Sequence, residues 1–270
     1  MVVQHNVTAM NANRMLGITT NVQAKSSEKL SSGYKINRAA DDAAGLAISE
    51  KMRRQIRGLT QASNNAQDGI SMAQTAEGAL NEVHDMLQRM NELSVKAATE
   101  TLTTDDRSYI QQEITALKSE IDRTANDTKF NELELLSSSA GTYKIQVGAD
   151  QNQTITVTMK QMDASGLGVD GVDVSTSTNA QTAIDLVKTG IQKLSSMRAD
   201  LGAVQNRLEH TIKNLDNVVE NTTAAESQIR DTDMANEMVR YSNNNILAQA
   251  GQSMLAQANQ TNQGVLSLLQ

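Results

Sequence analysis

Apolar residues recur at intervals of three and four along most of this chain, which is the spacing of one face of an α-helix. One series predicts a helix over residues 62–99, and a shorter one predicts the helix that follows it. A third predicts a helix over residues 180–220, which would span roughly 60 Å. The apolar positions of the three series are Ile70, Ala73, Ala76, Leu80, Val83, Leu87, Met90, Leu93 and Ala97; Ile110, Ile114, Leu117 and Ile121; and Ile184, Val187, Ile191, Leu194, Met197, Leu201, Val204, Leu208, Ile212, Leu215 and Val219.

Turn-forming and capping residues separate the predicted helices. Gly33 ends a first helix over residues 1–30, and Asp41 and Asp42 lie where an N-cap and first-turn acids begin the next one, over residues 43–57. Gly58 predicts a weak point or turn before residue 62. Thr and Asp residues within 101–106 predict a turn that caps the following helix. Residues 221–223, with the sequence NTT, predict an interruption of the helical pattern.

The period of the pattern changes in the middle of the chain. Residues 143–147 and 154–159 alternate polar and apolar side chains and are rich in β-branched residues, with turn-forming residues between them. This pattern predicts a β-hairpin. Residues 163–179 are rich in Gly, Ser, Thr and Asp and are predicted to form a loop.

The two ends of the chain are almost free of charge. Residues 241–270 contain no Asp, Glu, Lys or Arg, and Leu247 and Met254 fall on one helical face there. At the other end, Val3, Val7 and Met10 have helical spacing, and His5 and Arg14 are the ionisable side chains before residue 25. An exposed helix normally carries charge on its outer face. We therefore expect the two ends to form helices that pair and are buried against other protein on several sides.

The pattern as a whole predicts a mainly α protein, built as an elongated antiparallel helical bundle with a small β-hairpin element and paired terminal helices. The predicted segments are an N-terminal tail helix and connector at residues 1–40, core helices at 41–140, the hairpin and loop at 141–180, a long core helix at 181–230, and a C-terminal tail helix at 231–270.

Composition narrows the range of functions. Pro is absent, which permits very long helices, and Phe130 is the only Phe. The net charge of −7 without a basic run excludes a nucleic-acid footprint, and the tail is too polar for membrane insertion. Residues 1–24 show no basic start followed by an apolar core, so we expect export, if it occurs, by a route other than general secretion.

No catalytic or metal-binding constellation emerges from the sequence. His5, His84 and His210 lack ligand-type spacing, and Cys is absent. The acid pair at 41–42 and the pair at 105–106 each lie at a predicted helix start, where capping explains them better than acid–base chemistry. We expect neither an enzyme nor a bound cofactor.

Several motifs resemble the hallmarks of bacterial flagellin, in the order in which that family carries them. They are LSSGYKINRAADDAAGLAISE at residues 30–50, TKFN at 128–131, LGAVQNRLEH at 201–210, AESQIRDTDMA at 225–235 and NILAQAGQSMLAQAN at 245–259. The resemblance covers about residues 1–140 and 180–270. It implies a short flagellin that lacks the variable outer domains of longer members.

The resemblance implies a structural subunit of the flagellar filament, a helical propeller for motility. Such a subunit is exported unfolded through the flagellum's own apparatus, with an export chaperone and a cap protein as partners, and many copies polymerise outside the cell. Its terminal helices pair and line the central channel. On this basis we expect a polymerisation seam that includes Val3, Val7, Met10, Leu247 and Met254.

The family resemblance also implies recognition of the monomer by the flagellin-sensing Toll-like receptor of animals. The matching determinant comprises Gln88, Arg89 and Leu93, with Glu113 on the neighbouring helix as an acidic partner. A planar guanidinium that makes several directional hydrogen bonds is a suitable anchor for such recognition. The segment departs from many strongly recognised members at Asn91, where they have Arg.

Two other functions fit parts of the sequence pattern. A flagellar hook–filament junction protein would have similar termini and a low copy number. A cytoplasmic coiled-coil signalling module would be permitted by the helical series alone, but it would carry charged flanks to the end of the chain. The neutral ends disfavour the signalling module.

Overall fold

The computed structural model describes the backbone of residues 6–267 and the side chains of residues 6–260. Six helices and four short strands follow one another in the described chain. They are α1 (Val7–Ser32), α2 (Ala43–Ala97), α3 (Thr104–Asp127), β1 (Lys129–Phe130), β2 (Leu133–Glu134), β3 (Thr142–Gln146), β4 (Thr154–Thr158), α4 (Ala164–Leu167), α5 (Ser177–Arg230) and α6 (Met234–Ser267). The predicted mainly helical class with a small β element is confirmed.

Contacts divide the chain into two compact units. One unit comprises Gln55–Glu220, and the other comprises Met1–Arg54 together with Asn221–Gln270. Each unit therefore has its own packing, and the two are described separately below.

The Gln55–Glu220 unit is built on a seam of buried side chains, meaning the large apolar cluster shared by α2, α3 and α5. The largest members are fully buried, including Leu80, Leu87, Ile114, Leu194 and Met197. The Ser177 hydroxyl donates to the Ala98 carbonyl at 2.8 Å, and Gln205 donates to Glu77 at 3.1 Å, so α2 and α5 run antiparallel here. The three apolar series supply much of this seam, and Leu208 and Leu215 belong to two smaller clusters of the same unit. The assignment of the series to helices is confirmed.

Two predicted interruptions are wrong. The helix that begins at Ala43 continues to Ala97 through Gly58, and the helix that begins at Ser177 continues to Arg230 through Asn221. Gly58 is required for a close approach, because a Cβ atom there would lie 2.8 Å from the Cβ of Ala149 in the hairpin turn. Asn costs a helix only a few tenths of a kcal/mol relative to better helix formers, which neighbouring contacts offset.

The predicted hairpin is present. β3 and β4 pair antiparallel with Thr142 opposite Thr158 and Gln146 opposite Thr154. Ile155 and Val157 of β4 are buried, whereas the three Thr residues of this strand are exposed. The polar–apolar alternation therefore identifies the buried face of the strand. The tight β1–β2 hairpin, with Asn131 and Glu132 at positive φ, was not predicted because its strands have only two residues each.

The segment predicted as a loop over residues 163–179 is more ordered than its composition indicated. It contains α4, and Leu167, Val169, Val172 and Val174 are fully buried or nearly so. Side chains of the helices hold its backbone: Lys118 donates to the Asp170 carbonyl at 2.7 Å, Lys193 donates to the Gly166 carbonyl at 3.0 Å, and Gln111 accepts from the Val174 amide at 2.8 Å. The segment was predicted as a loop because its Gly and Ser residues outweighed these four apolar residues in the sequence pattern.

Helix ends follow the predicted capping chemistry. The Thr103 hydroxyl accepts from the Asp106 amide at 3.2 Å and Asp106 accepts from the Thr103 amide at 3.0 Å, which is a capping box at the start of α3. Asp42 accepts from the Gly45 amide at 2.9 Å at the start of α2. Gly33 ends α1 in the left-handed conformation with φ of 76°.

The contrast between two glycines of α2 predicts opposite effects of the same substitution. Gly78→Ala adds a Cβ that meets no atom within 4 Å, so it should raise the free energy of unfolding by about 0.5–1 kcal/mol through helix propensity. Gly58→Ala should lower it by roughly 1–2 kcal/mol because the hairpin turn must move. Urea unfolding of the two monomeric variants measures both values, and equal shifts would contradict the close-approach role of Gly58.

Candidate functional site

The predicted recognition segment of α2 lies along an open groove against α3. The groove has a volume of about 620 Å³ and we call it the Arg89 groove. Its lining residues come from the C-terminal end of α2, the connecting turn and the first half of α3: Arg89, Glu92, Leu93, Lys96, Leu102, Asp106, Tyr109, Ile110 and Glu113.

The spacing of the buried seam determines which side chains of this segment face outward. Leu87 and Met90 are fully buried, so the two positions between them, Gln88 and Arg89, are exposed. On α3, Ile110 and Ile114 occupy the seam, and Glu113 is exposed beside them. The structure thus brings Arg89 and Glu113 together although they are 24 residues apart in sequence.

Arg89 is bound by two carboxylates. Its Nε donates to Glu113 Oε1 at 2.8 Å, and its Nη1 donates to Glu92 Oε2 at 3.1 Å. These contacts, chiefly the hydrogen bond to Glu113, raise the pKa of the Arg89 guanidinium above its ordinary value. The side chain is still 51% exposed, so a cation in a fixed orientation is presented at the rim of the groove.

The other two predicted residues are placed differently. Gln88 is exposed one turn from His84, with its Nε2 3.4 Å from the His84 Nε2. Leu93 lines the floor of the groove and is only 3% exposed. Leu93 is therefore a seam residue that shapes the groove, whereas Gln88, Arg89 and Glu113 have exposed side chains.

Sequence reasoning missed the far wall of the groove. Tyr109 on α3 is 69% exposed and lines the groove together with Lys96 and Asp106. The Thr103 hydroxyl and backbone amide lower the pKa of Asp106 by hydrogen bonding, so this rim residue is a fixed carboxylate. One signal was present in the sequence: Tyr109 precedes the seam residue Ile110 and is one of only four Tyr residues in the chain.

The second candidate surface is formed by α1 and α6, which pack together and which we call the terminal pair. The two helices run antiparallel, because Asn6 Nδ2 donates to the Ala258 carbonyl at 3.0 Å while Gly33, at the other end of α1, accepts from the Thr232 amide at 3.0 Å. A Cβ on Gly251 would lie 3.3 Å from Leu16, so the helices approach closely. The predicted pairing of the tails is confirmed for the described residues.

The face that α6 turns towards α1 carries few large apolar residues. The less exposed positions of α6 repeat every three or four residues and are mostly small or polar: Glu237, Tyr241, Asn244, Ala248, Gly251, Leu255 and Ala258. Leu247 and Met254 lie beside this row and are exposed. The small residues of the row allow closer helix contact than a row of Leu and Met would.

The residues predicted for the polymerisation seam lie on the outside of the terminal pair. Val7, Met10, Leu247 and Met254 are between 58% and 68% exposed, and Val3 lies outside the described residues. Further large apolar side chains of the pair are also exposed, namely Met15, Ile18, Met234, Met238, Val239 and Ile246. Exposed apolar surface of this extent marks an interaction site.

Other classes of site find no support in the part of the chain that the structure describes. No three or more His, Asp or Glu side chains come together there in a way that could hold a metal ion. Among the same residues, no helix combines the length and the apolar character needed to cross a membrane.

Comparison with known families matches both halves of the chain. The family described as the bacterial flagellin N-terminal helical region matches residues 3–141, and the family described as the bacterial flagellin C-terminal helical region matches residues 184–269. Together these matches cover both helical parts of the sequence.

Individual relatives align over the full length. A flagellin of Halalkalibacterium halodurans is 54% identical over 271 residues, with all of both chains covered. The flagellar filament 31.3 kDa core protein of Treponema maltophilum is 48% identical over 286 residues, again with full coverage of both. Among solved structures, Bacillus cereus flagellin is similar, with 30% identity, a TM-score of 0.52, and coverage of 56% of this chain and 88% of that one.

Because Leu93 is buried beneath the exposed Arg89, we expect a substitution of Leu93 to change the free energy of unfolding. Leu93→Ala should lower the free energy of unfolding by about 2–5 kcal/mol, because it leaves a cavity in the seam. Val95→Ala, two residues away on the exposed face of the same helix, is the matched control and should change it little. Urea unfolding of the monomers measures both, and a Leu93→Ala variant as stable as the control would contradict the placement of Leu93.

Proposed function

The chain belongs to the bacterial flagellin family, and from this membership we propose specific roles for its two exposed surfaces. The protein is a structural subunit of the flagellar filament, where many copies polymerise outside the cell into the propeller that drives motility. Full-length identity to flagellins favours this function over the hook–filament junction protein.

We assign the polymerisation seam to the exposed apolar face of the terminal pair. The supporting observation is that Val7, Met10, Leu247 and Met254 lie outside the α1–α6 contact and remain exposed in the single chain. Complete burial of one such side chain contributes about 1.5–3 kcal/mol, so a few of them repeated in every subunit can drive assembly. The lack of charge in residues 241–270 removes the cost of desolvating ions during that burial.

The same face is the natural target for two further partners. An export chaperone must keep this apolar surface from associating before export, and a cap protein must present the incoming subunit to the filament end. Both roles call for contact with the exposed Leu and Met positions of α6. We therefore place the chaperone and cap contacts on α6.

Removing two apolar side chains from this face should weaken polymerisation without altering the monomer. The double variant Leu247→Ser with Met254→Ser should raise the critical concentration for filament formation at least tenfold, because each side chain loses its burial between subunits. Sedimentation of assembled filaments measures this concentration, and circular dichroism checks that the monomer stays helical.

The matched control is Gln252→Ser with Asn259→Ser, which changes two exposed polar positions of the same helix. If the apolar and polar double variants polymerised equally well, the exposed face of α6 would not be the seam. A chain truncated after residue 240 should not polymerise at all.

We assign recognition by the flagellin-sensing Toll-like receptor to the Arg89 groove. The observation that carries this assignment is the half-exposed guanidinium of Arg89, held by Glu113 and Glu92 at the rim of a concave surface. Guanidinium groups have five N–H donors, and two of those of Arg89 are used by the carboxylates. The remaining donors can bind an acceptor on the receptor, while Gln88 adds a neutral hydrogen-bonding group.

Each of the four residues then has a distinct part. Arg89 and Gln88 contact the receptor, Glu113 fixes the orientation of Arg89, and Leu93 shapes the floor of the groove. Because an oriented side chain loses less entropy on binding, the Glu113 contact strengthens recognition without a direct bond. In the filament we place this surface beneath a neighbouring subunit, so that the receptor detects monomer.

Arg89→Ala should raise the monomer concentration needed for half-maximal receptor signalling at least tenfold, because it removes the central hydrogen-bonding group of the site. The measurement is a reporter assay in cells that carry the receptor, with purified monomer as ligand. Arg123→Ala is the matched control, since Arg123 is also an exposed arginine that is paired with two carboxylates, Glu120 and Asp127. Equal potency of the two variants would exclude Arg89 as the anchor.

A further inference from the structure

Methionine is the most readily oxidised type of side chain in this protein. The chain has thirteen Met residues and lacks Cys and Trp, which would otherwise compete for an oxidant. Oxidation converts the apolar thioether of Met into a polar sulfoxide, and this change disrupts contacts that depend on Met. The consequence of oxidation therefore depends on where each methionine sulfur lies.

The methionines fall into two groups by exposure. Among the side chains that the structure describes, five are between 47% and 68% exposed and all lie in α1 or α6, namely Met10, Met15, Met234, Met238 and Met254. We call these five the exposed methionines. Five others are almost fully buried and all belong to the seam of the Gln55–Glu220 unit, namely Met72, Met90, Met159, Met162 and Met197. Met52 and Met86 are half-buried.

This contrast does not require α1 and α6 to be paired in the free subunit. When the helices are paired, the exposed methionines are open to solvent. If the helices separate or unfold, these side chains become more accessible, because no neighbouring helix covers any part of them. The buried group is enclosed in the close-packed cluster of α2, α3 and α5. An oxidant therefore reaches the chain ends of a free subunit before it reaches the seam.

The exposed methionines belong to the surface that we assign to assembly. Met10 and Met254 are members of the polymerisation seam, and the other three are further exposed apolar residues of α1 and α6. A thioether suits such a contact because it is flexible and apolar. A sulfoxide oxygen, in contrast, loses its hydrogen bonds to water when it is buried between subunits. Oxidation at these positions thus opposes assembly and leaves the seam of the folded unit intact.

We propose that the exposed methionines are a modification site through which hydrogen peroxide blocks assembly of the free subunit. The thioether sulfur attacks one peroxide oxygen, the O–O bond breaks, an S–O bond forms, and the other oxygen leaves as water. The sulfur loses two electrons and the peroxide gains them. A methionine sulfoxide reductase reverses the change with a dithiol, which becomes a disulfide while the oxygen leaves as water. This inference rests on the polymerisation seam proposed above.

Peptide mapping by mass spectrometry, after brief treatment of the full-length monomer with hydrogen peroxide, tests the selectivity. Sulfoxide should form at the exposed methionines at least about tenfold faster than at the five buried ones, because the seam keeps the oxidant away from sulfur. The urea midpoint of the treated monomer should be unchanged, since the seam retains its thioethers. Equal rates of oxidation in the two groups would overturn the proposal.

Polymerisation of the treated monomer tests the consequence. Its critical concentration for filament formation should be at least about tenfold higher than that of untreated monomer, because several apolar contacts between subunits are lost. Methionine sulfoxide reductase with dithiothreitol should restore the original value without any substitution in the chain. A reduced monomer that still failed to polymerise would contradict the assignment to methionine.

A variant without sulfur at these positions tests the site directly. It combines the substitutions Met10→Leu, Met15→Leu, Met234→Leu, Met238→Leu and Met254→Leu. This variant should polymerise after peroxide treatment as well as before it, because Leu has a similar volume and cannot be oxidised in this way. Met52→Leu with Met86→Leu is the matched control and should remain as sensitive to peroxide as the wild-type chain.

The double variant Leu247→Ser with Met254→Ser distinguishes failure of this inference from failure of the polymerisation seam. If that variant is defective but oxidised wild-type monomer polymerises normally, the modification site is wrong and the seam stands. Equal inhibition of the five-Leu variant and the wild-type chain by peroxide would have the same meaning. If the Leu247→Ser with Met254→Ser variant polymerises normally, the seam itself is wrong.

Discussion

Close approach of α2, α3 and α5 is the constraint on which the Gln55–Glu220 unit depends. Small residues such as Ala73, Ala76, Ala125 and Gly190 are fully buried where the helices meet, and they let the larger Leu, Ile and Met side chains between them interlock. The same spacing turns Arg89 and Glu113 outward on neighbouring helices, at a distance where they pair. The Arg89 groove therefore follows from the way in which the seam is packed.

The terminal pair is built on a different principle. Its inner face uses small and polar residues, and its large apolar residues remain on the outside. If α1 and α6 buried their large apolar side chains against each other, no apolar surface would remain to bind a neighbouring subunit. The weak contact between α1 and α6 and their apolar exterior therefore belong together. The terminal pair gains its stability from contacts between subunits in the filament.

The sequence was a good guide wherever a periodic pattern ran for several turns. The helices, the hairpin and the caps at Thr103 and Gly33 could be predicted because each depends on local spacing or on the backbone preference of one residue. Gly58 was misinterpreted because a glycine that permits a distant Ala149 to approach is indistinguishable in sequence from one that breaks a helix. The pattern showed that Leu247 and Met254 share a helical face, but it could not show which partner that face meets.

The candidate site was likewise predictable only where local spacing or the resemblance determined a residue. The resemblance named Arg89 and Glu113, and the apolar series already included Leu93, but the exposed Tyr109 wall depends on how α3 packs on α2 after the turn.

Under the proposed recognition of the Arg89 groove, the position of Leu93 beneath Arg89 would also limit how a bacterium could escape immune detection. A receptor that reads both the guanidinium and the shape of the groove depends on one residue that can be exchanged at the surface and on one that cannot be exchanged without damaging the core. Evasion through Leu93 would compromise the folded subunit itself, whereas evasion through Arg89 must only preserve the filament contacts made by that surface. In the proposed site, the part that is hardest to change is therefore a packing requirement of the filament subunit.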